Sequence, residues 1–577
     1  MSLGPSNVAA LIERGQKRFN ERGNTLALWQ AIAELFYPER ADFISAGTNG
    51  VERYRDIYAG EPIQLRDRLQ NGVGALVRRP SKDWFLAKVL PSPIGELEPV
   101  KRWCDAITDV QRDAVYARQA NFQRAMKESD GDYVAFGNSV LMHTANRYGT
   151  GLHYKCLHLR DCVWFENEHG EVDEMHERIG DKTIEHWQAL MAKAGGKLPQ
   201  EWERKVREGK GCEKVVVHRI VIPRQRYNDK GRIPNKSNNL PYAVIYAIPD
   251  LKFELHCDGF LLFPYLVRRW MTVSGEQEGR SPCTGVAMAD ARILNRAQIA
   301  LLESLEKAVD PVTLLPHDGV IGDVEISAGS RIMYDGERGM KARDMIDTLA
   351  VGDVRLGLEF SRERRLFLTQ AFYGDILKRL PDKTMTAFEA AQWLDEYISE
   401  AAPVFAPMEA ENAQLMEASL IRLMDMSGKP GAPQLPPAPE EAAGREVAYE
   451  FETPISIAYR KQKAQQADDV LGVAERIKNL DPEAIDNLDV DQLFRDTVEG
   501  RGTIKWLRPT EERDAQREQR AMLEAAKAAA AAAAVDAQMQ PGAQGAPLQG
   551  LDKAAEALGV PTQKSAPMDL ASLGAGR

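Results

Sequence analysis

The sequence predicts a predominantly helical α+β fold, and three features support this prediction. Two long helical runs, at 282–308 and 353–380, are separated by an insertion rich in Gly, Pro and Asp. The segment from Leu152 to Phe263 is rich in strand-forming residues, and an alanine-rich run lies near the C-terminus. At about 1.5 Å per residue, each long helix would span roughly 40 Å. One chain has little to pack against such a pair, so we expect the helices to contact other copies.

The composition narrows the class of protein. The 577 residues are 44% hydrophobic and 28% charged, which is typical of a soluble, folded chain of several structural units. No stretch approaches ~20 consecutive apolar residues, so no contact with a membrane is expected. Six sparse cysteines indicate reduced thiols. A net charge of −11 argues against a chain that wraps nucleic acid, although DNA could still slide past its surface.

The N-terminal region is predicted to be helical. Trp84, with its neighbour Phe85, is expected in a core. The predicted elements are one or two amphipathic helices in Asn7–Glu39, a helix at Ile63–Val77, an extended segment at Pro80–Leu86, and a helix from Val100 to about Gly131 that continues into Met142.

A modest sheet is predicted next, with a hairpin tip at Asn167–Glu171 and an inserted helix at Ile184–Lys193. The strand candidates are Leu152–Leu159, Val163–Glu168, Lys214–Pro223, Tyr242–Ile248 and Phe253–Leu262.

The first long helix can begin with Ser281 as its cap and Pro282 at its first position. Apolar residues spaced three and four apart share one face of the first long helix. Both long helices have apolar residues on more than one side, which suits packing between neighbouring copies. The residues predicted to pack between subunits are Leu294, Leu301 and Leu305 on the first helix, and Leu368, Phe372 and Ile376 on the second. Short strand-like segments, Val324–Ile326 and Arg331–Tyr334, lie in the insertion between them.

After the second helix, Thr386 and Glu389 form a capping-box pattern that opens another helix. That helix is predicted to break at Pro403 and Pro407, to resume at Met408 and to end at Gly428. The remaining predictions are an extended Pro-rich linker at Gly428–Pro439, a strand near Tyr449–Phe451, helices near Ile455–Leu480 and from Asp481, a last helix from Pro509 through Ala528–Ala534, and a disordered tail from Gln540.

No pattern for catalysis or for a cofactor is present. The Gly-Lys pairs lack a P-loop glycine, no zincin motif exists, and Gly279–Cys283 lacks the closing glycine of a nucleophile elbow. Zinc is one interpretation of the cluster His153, Cys156, His158 and Cys162. The spacing fits no common zinc finger, and alternation along strands separates the side chains, so ordinary strand residues are the favoured interpretation.

Two basic groups have alternative interpretations. Arg362, Arg364 and Arg365 could meet phosphate, or could form salt bridges with Glu359 and Glu363 on the same helix. Lys378, Arg379 and Lys383 would face a channel if the helices line one. A favourable interaction with the C-terminal end of the helix explains Lys378 and Arg379 about as well.

Several landmarks fall in order along the chain. They are Tyr37–Arg40, Pro80–Phe85, Asn121–Phe122, Gly137–Asn138, Asn167–Asp173, Gly279–Pro282, Lys307–Pro311 and Thr386–Glu389. In the order of these landmarks, from about Arg18 to Gln462, the chain resembles the portal, or head-to-tail connector, of short-tailed double-stranded DNA phages.

The resemblance implies a division of the chain into portal regions. These are a wing at 1–281 and 387–428, stem helices at 282–308 and 353–380, and a clip at 309–352. A tunnel loop at 381–386 would include Pro381, Asp382, Lys383, Thr384 and Met385. A crown at 429–509, a C-terminal helix at 510–539 that could form a barrel, and a disordered tail at 540–577 complete the division.

The resemblance also implies a ring, usually of twelve subunits, at one capsid vertex of the virion, assembled in the host cytoplasm. Double-stranded DNA would pass through the ring, driven by a terminase. The major capsid protein, a scaffolding protein and a tail adaptor would be further partners. Two alternatives remain: a virion adaptor or scaffold that binds partner helices through the Ala-rich helix, and a metal-dependent enzyme that processes nucleic acid.

Overall fold

The computed structural model has two compact units, Met1–Tyr459 and Arg460–Arg577. The described residues are 8–44, 50, 52–78, 84–95, 97–196, 198–227, 240–309, 313–314, 347–348, 354–374, 387–451, 464, 466–468, 470–473, 489–500 and 510–538. Within these ranges, no helix combines the length and the apolar character needed to cross a membrane.

The first unit begins with helices on either side of a short strand. These are α1 (Val8–Glu21), α2 (Gly23–Phe36), α3 (Glu61–Val77), β1 (Phe85–Val89), α4 (Ser92–Gly95), α5 (Glu98–Tyr116) and α6 (Phe122–Phe136). The two predicted helices in Asn7–Glu39 and the helix ending at Val77 are confirmed.

The helix predicted from Val100 to about Gly131 is found as two helices, and its predicted continuation into Met142 is wrong. The chain forms α5 and α6, and then turns into a strand at Asn138. Asn121 (φ 56°) and Gly137 (φ 72°) adopt left-handed backbone conformations at the two ends of α6. A left-handed residue cannot continue a right-handed helix, so these two positions set the limits of α6.

Two antiparallel sheets follow, with strand orders β3-β2-β9 and β4-β5-β6-β7-β8. The strands are β2 (Asn138–Ala145), β3 (Leu152–Leu157), β4 (Cys162–Glu166), β5 (Val172–Ile179), β6 (Val217–Pro223), β7 (Tyr242–Ile248), β8 (Phe253–Phe260) and β9 (Tyr265–Arg269). All five predicted strands are confirmed, and the sequence did not reveal β2, β5 and β9.

The connections between strands carry two further predicted features. The hairpin tip lies between β4 and β5, where the Asn167 side chain accepts hydrogen bonds from the backbone N–H groups of His169 and Glu171. The inserted helix α7 (Ile184–Ala194) lies between β5 and β6. A second inserted helix, α8 (Gln200–Arg207), was not predicted.

The two long helices are α9 (Val286–Val309) and α10 (Val354–Ala371). Ser281 caps a 3-10 turn (Pro282–Thr284) just before α9, which confirms the predicted capping residues. In the insertion, β10 (Thr313–Leu314) pairs with β11 (Asp347–Thr348), and both predicted strand-like segments lie outside the described residues.

The second long helix, predicted to run without a break to Leu380, is interrupted at Phe372 and Tyr373. Ala371 ends α10, and a turn follows at Phe372 and Tyr373. Tyr373 has φ 55°, which a right-handed helix cannot contain. Residues 375–386 lie outside the described part of the chain, and with them Thr386 of the capping box.

Helix α11 (Ala387–Met426) is one continuous helix of 40 residues. The predicted break at Pro403 and Pro407 is therefore wrong. A proline removes one backbone donor, but the other hydrogen bonds of a long helix remain. Downstream, Met408, Leu415 and Leu423 are buried, and this packing holds the helix in place.

The first unit ends with β12 (Val447–Phe451), which pairs antiparallel with β1. Trp84 and Phe85 pack in this region with Phe122 and Phe451, so their predicted core position is confirmed. The largest core joins α2, α3, α6, β2 and α9. The Trp103 indole N–H of α5 donates a hydrogen bond to the carbonyl of Pro436 in the Pro-rich linker, at 3.1 Å.

The described part of the second unit includes α12 (Val490–Gly500) and α13 (Thr510–Gln538). The two terminal nitrogens of the Arg517 guanidinium, Nη1 and Nη2, donate to the Asp491 carboxylate at 2.5 and 2.8 Å, and this contact links the two helices. The predicted last helix is confirmed. The predicted tail from Gln540 and most of the helix near Ile455–Leu480 lie outside the described residues.

Candidate subunit interface on a two-helix hairpin

Helices α9 and α10 pack as an antiparallel hairpin. Gly357 lies against Leu301, and a Cβ added to Gly357 would meet the Leu301 side chain at 2.7 Å. Seven residues further along α10, the Arg364 guanidinium binds the Asp290 carboxylate at 3.0 Å. These two contacts fix which residues of the helices lie at the same level along the hairpin.

One side of the hairpin packs on the rest of its own chain. Leu294, Leu368 and Phe372 are buried there in the largest core, beside Phe36 of α2. Leu301 is also buried, against Gly357. Of the six residues predicted to pack between subunits, the structure leaves Leu305 exposed, at 45%. Ile376 lies outside the described residues.

The opposite side of the hairpin presents exposed apolar side chains. On α10, Leu356, Phe360 and Phe367 are 68%, 41% and 42% exposed. At 100° per residue, these three side chains lie within about 40° of one another around α10. They lie about 80–120° from the buried Leu368. On α9, Val286 and Ile293 are exposed seven residues apart. We call these five side chains the outer face.

Arg364 links the outer face to α9. Its guanidinium lies 5.0 Å from the centre of the Phe360 ring and 5.1 Å from that of Phe367, while it binds Asp290. Such cation–π contacts contribute about 0.5–1 kcal/mol each at exposed sites. The two aromatic rings are therefore held in place before any partner arrives.

The other arginines of the basic run differ in their surroundings. Arg365 Nε lies 2.7 Å from a carboxylate oxygen of Glu61 in α3. Arg362 is exposed. The predicted pairing within the helix is limited to Arg364 and Glu363, at 3.9 Å. The other predicted channel residues, Lys378, Arg379 and Lys383, lie outside the described residues, as does the whole of Pro381–Met385.

The end of α10 is anchored by aromatic rings. Tyr373 stacks on Trp270 with ring centres 6.3 Å apart, and Trp270 lies 5.2 Å from Tyr133. Phe372 packs on Phe36 at 5.6 Å. These contacts hold Tyr373 in its left-handed conformation, which would otherwise cost about 1–2 kcal/mol.

A buried ionic network holds α11 on the same part of the fold. Arg268 of β9 is fully buried and binds Asp130 at 2.8 Å and Glu411 at 3.0 Å. Asp130 also binds Arg78. Burial by itself would lower the pKa of Arg268, but the two carboxylates outweigh it and raise this pKa. Burial raises the pKa of Glu411, and Arg268 opposes this shift.

The residues considered for zinc have other roles. The His158 ring nitrogen lies 2.7 Å from an Asp42 carboxylate oxygen. Cys156 and Cys162 are buried, and burial raises the pKa of both thiols. The described ranges contain no group of three His, Cys, Asp or Glu side chains placed to hold a metal ion.

The sequence indicated apolar residues on more than one side of the two long helices, but the residues named for subunit packing came from the most regular apolar stripe, and those of the outer face were missed. That stripe includes Leu294 and Leu368, which face the chain's own core. The available signal was a second stripe on α10, with Leu356, Phe360 and Phe367 at intervals of four and seven residues. A helix with two apolar stripes has more apolar surface than one packing partner covers.

Comparisons with known proteins agree on one family. Residues 8–503 match the family model described as bacteriophage head to tail connecting protein. The probable portal protein of Bordetella phage BPP-1 is 23% identical over 498 residues, covering 84% of this chain and 85% of that protein. The portal protein of Salmonella phage epsilon15 is 22% identical over 496 residues, covering 82% and 84%.

Solved structures give a weaker likeness. A chain from the virion of a native gene transfer agent particle superimposes with a TM-score of 0.32 at 11% identity, covering 73% of this chain and 90% of that chain. A chain from the neck of the native particle gives a TM-score of 0.32, also at 11% identity, with coverage of 72% and 88%.

Proposed function

The chain belongs to the family of bacteriophage head to tail connecting proteins, and we propose that it acts as a portal through which double-stranded DNA enters and leaves the capsid. Its role is structural and not enzymatic, and its place is in the phage particle. The curated relatives with the names portal protein and probable portal protein match along more than 80% of their length, which supports the assignment to a whole portal subunit.

The observation that carries this proposal is the outer face of the α9–α10 hairpin. The five side chains of the outer face, three on α10 and two on α9, remain exposed in a single chain. Exposed apolar surface of this kind is typical of protein interfaces. Neighbouring copies in a homo-oligomeric ring would cover it, and we propose twelve copies at one capsid vertex.

The regions of the chain take the following roles in this proposal. Helices α9 and α10 form the stem, and 309–352 forms the clip on which a tail adaptor docks. Residues 381–386 form the tunnel loop, while 1–281 and 387–428 form the wing, which contacts the major capsid and scaffolding proteins. The crown is 429–509, the helix at 510–539 follows it, and 540–577 is the tail. A terminase supplies the force that moves DNA.

Of the predicted channel residues, the structure describes Arg362 and Arg365, and Arg362 is the better suited to meet DNA. It is exposed on α10, whereas Arg365 is held close to Glu61. Lys378, Arg379 and Lys383 are proposed to act beside it, near the tunnel loop. A small number of cations in a chain of net charge −11 suits a channel that lets DNA slide without gripping its phosphates.

The direct test is to image the purified protein by electron microscopy. We expect rings with a central hole at micromolar concentration, and a stable monomer would overturn the proposal. The variant Phe367→Glu places a charge in the outer face and should shift the protein toward monomers. The matched control, Tyr148→Glu, changes an aromatic residue exposed on the β2–β3 turn and should leave the rings intact.

A further inference from the structure

A cavity lies on the side of α9 away from the outer face. Its volume is about 300 Å³, and it lies between α2, the segment 53–59, the start of α3 and α9. Its apolar lining comes from Ala31, Leu35, Ile57 and Ala291. Charged groups of both signs border it, namely Glu34, Arg53, Asp56 and Arg292. An apolar centre with a polar rim is the usual construction of a protein–protein contact.

The cavity is already formed in the single chain. The Asn295 side-chain oxygen accepts hydrogen bonds from the backbone N–H groups of Tyr58 and Ala59, at 2.8 and 3.1 Å. Its amide nitrogen donates to the Asp56 carbonyl at 3.1 Å. One side chain of α9 thus fixes the segment that forms one wall of the cavity.

The cavity and the outer face lie at the same level but on opposite sides of the hairpin. Ile293 of the outer face and Asn295 of the cavity are two residues apart, which places them about 160° apart around α9. The contacts of Leu301 with Gly357 and of Asp290 with Arg364 set the level along the hairpin. Between these two contacts, Asn295 lies at the same height along the hairpin as Phe360 or Ser361.

We propose that Phe360 of one copy enters this cavity of the next copy around the ring. This inference rests on the proposed function, because rotation about a ring axis along the stem keeps residues at the same level. Each copy would give a phenyl ring on one side and receive one on the other. A contact between two different patches of the same chain is the kind that closes a ring.

The charges next to the two patches support this partner. Glu363 lies one turn from Phe360 and is exposed. Arg292, on the border of the cavity, falls level with Glu363 and is exposed as well. When Phe360 enters the cavity, opposite charges meet beside it, and this selects both the partner and the register.

Disulfide trapping tests the contact directly. Phe360→Cys combined with Ile57→Cys, in a Cys212→Ser background that removes the one described cysteine that is exposed, should give a ladder of covalent oligomers on oxidation. Within one chain, α9 lies between these two positions, so the two cysteines cannot form a disulfide bond with each other. The control pair, Leu366→Cys with Ile57→Cys, uses an exposed residue on another side of α10 and should give no ladder.

Charge reversal gives an independent test. Arg292→Glu and Glu363→Arg should each raise the protein concentration needed for half-assembly at least tenfold, and the double variant should restore assembly. Rings that form normally in both single variants, without a disulfide ladder from the paired cysteines, would overturn this contact and leave the portal proposal standing. A wild-type chain that stays monomeric would overturn the ring itself.

Discussion

Single residues decide how the α9–α10 hairpin is attached to the rest of the first unit. Arg268 has no exposed surface, yet it carries a charge that Asp130 and Glu411 balance from two different helices. The guanidinium carbon of Arg268 lies 4.3 Å from the centre of the Tyr133 ring. Tyr133 in turn contacts Trp270, and Trp270 stacks on Tyr373. The end of α10 and the middle of α11 are therefore held by one connected group of buried and half-buried side chains.

Replacement of Arg268 with alanine should be strongly destabilising. Asp130 would keep Arg78, but Glu411 would be left as a buried carboxylate without its arginine. Loss of one member of a buried ion pair typically costs about 3–5 kcal/mol. Urea unfolding followed by tryptophan fluorescence would measure this cost.

Two control variants sharpen this prediction. Arg268→Lys keeps the charge but not the two-sided geometry, so its cost should be intermediate. Arg362→Ala removes an exposed arginine and should change stability by about 0.5 kcal/mol or less. If Arg268→Ala and Arg362→Ala unfold at the same urea concentration, the ion pairs of Arg268 do not contribute to the free energy of unfolding.

At the scale of elements, the junctions between helices and strands depend on backbone conformations that composition does not reveal. Asn121 lies at the start of α6, and Gly137 lies between α6 and β2. The segment that contains them has the apolar content of one long helix. Conversely, α11 continues through Pro403 and Pro407, where local rules predict a break. In each case, contacts from distant parts of the chain outweigh the local preference.

The variant Gly137→Ala should destabilise the fold much more than Gly209→Ala. Both glycines have a left-handed backbone, with φ of 72° and 79°. A Cβ at Gly137 would lie 2.6–2.7 Å from backbone atoms of residues 279–281, whereas a Cβ at Gly209 would meet nothing within 4 Å. The backbone conformation alone costs about 1 kcal/mol.

We therefore expect about 1 kcal/mol for Gly209→Ala and about 3 kcal/mol or more for Gly137→Ala, because overpacking adds to the conformational cost. Denaturant unfolding of the two variants side by side gives the difference. Equal costs would mean that the contact between the α6–β2 turn and the segment before α9 adjusts without strain.

For the whole molecule, the location of the apolar surfaces bears on which part of the chain drives assembly. The outer face, the cavity beside Asn295 and the buried Arg268 network all belong to the first unit, Met1–Tyr459. The second unit contributes none of the residues on which the proposed ring contact depends.

Deletion of residues 509–577 should therefore leave ring assembly intact. The reason is that the deletion removes no residue of the hairpin or of its cavity. Analytical ultracentrifugation and negative-stain imaging of the truncated protein would check the result. A truncated chain that is folded but monomeric would instead favour assembly through the Ala-rich helix, as the adaptor alternative supposes.

The sequence by itself determined the mixed helical and strand composition, the five recognised strands, the two long helices and the family. Hydrophobic periodicity and turn residues report on local structure, and the likeness to a relative about 23% identical extends over 498 residues. It also indicated that the two long helices are more apolar than packing within one chain requires.

Only the tertiary structure decided which apolar stripe faces which neighbour. Leu294 and Leu368 became core residues because α2 and the rest of the largest core lie against them, while Phe360 and Phe367 were left outside. The same holds for the charges of Arg364 and Arg268, whose partners are 74 and 138–143 residues away in sequence. Contacts over such distances depend on how the elements pack, and no local pattern encodes that.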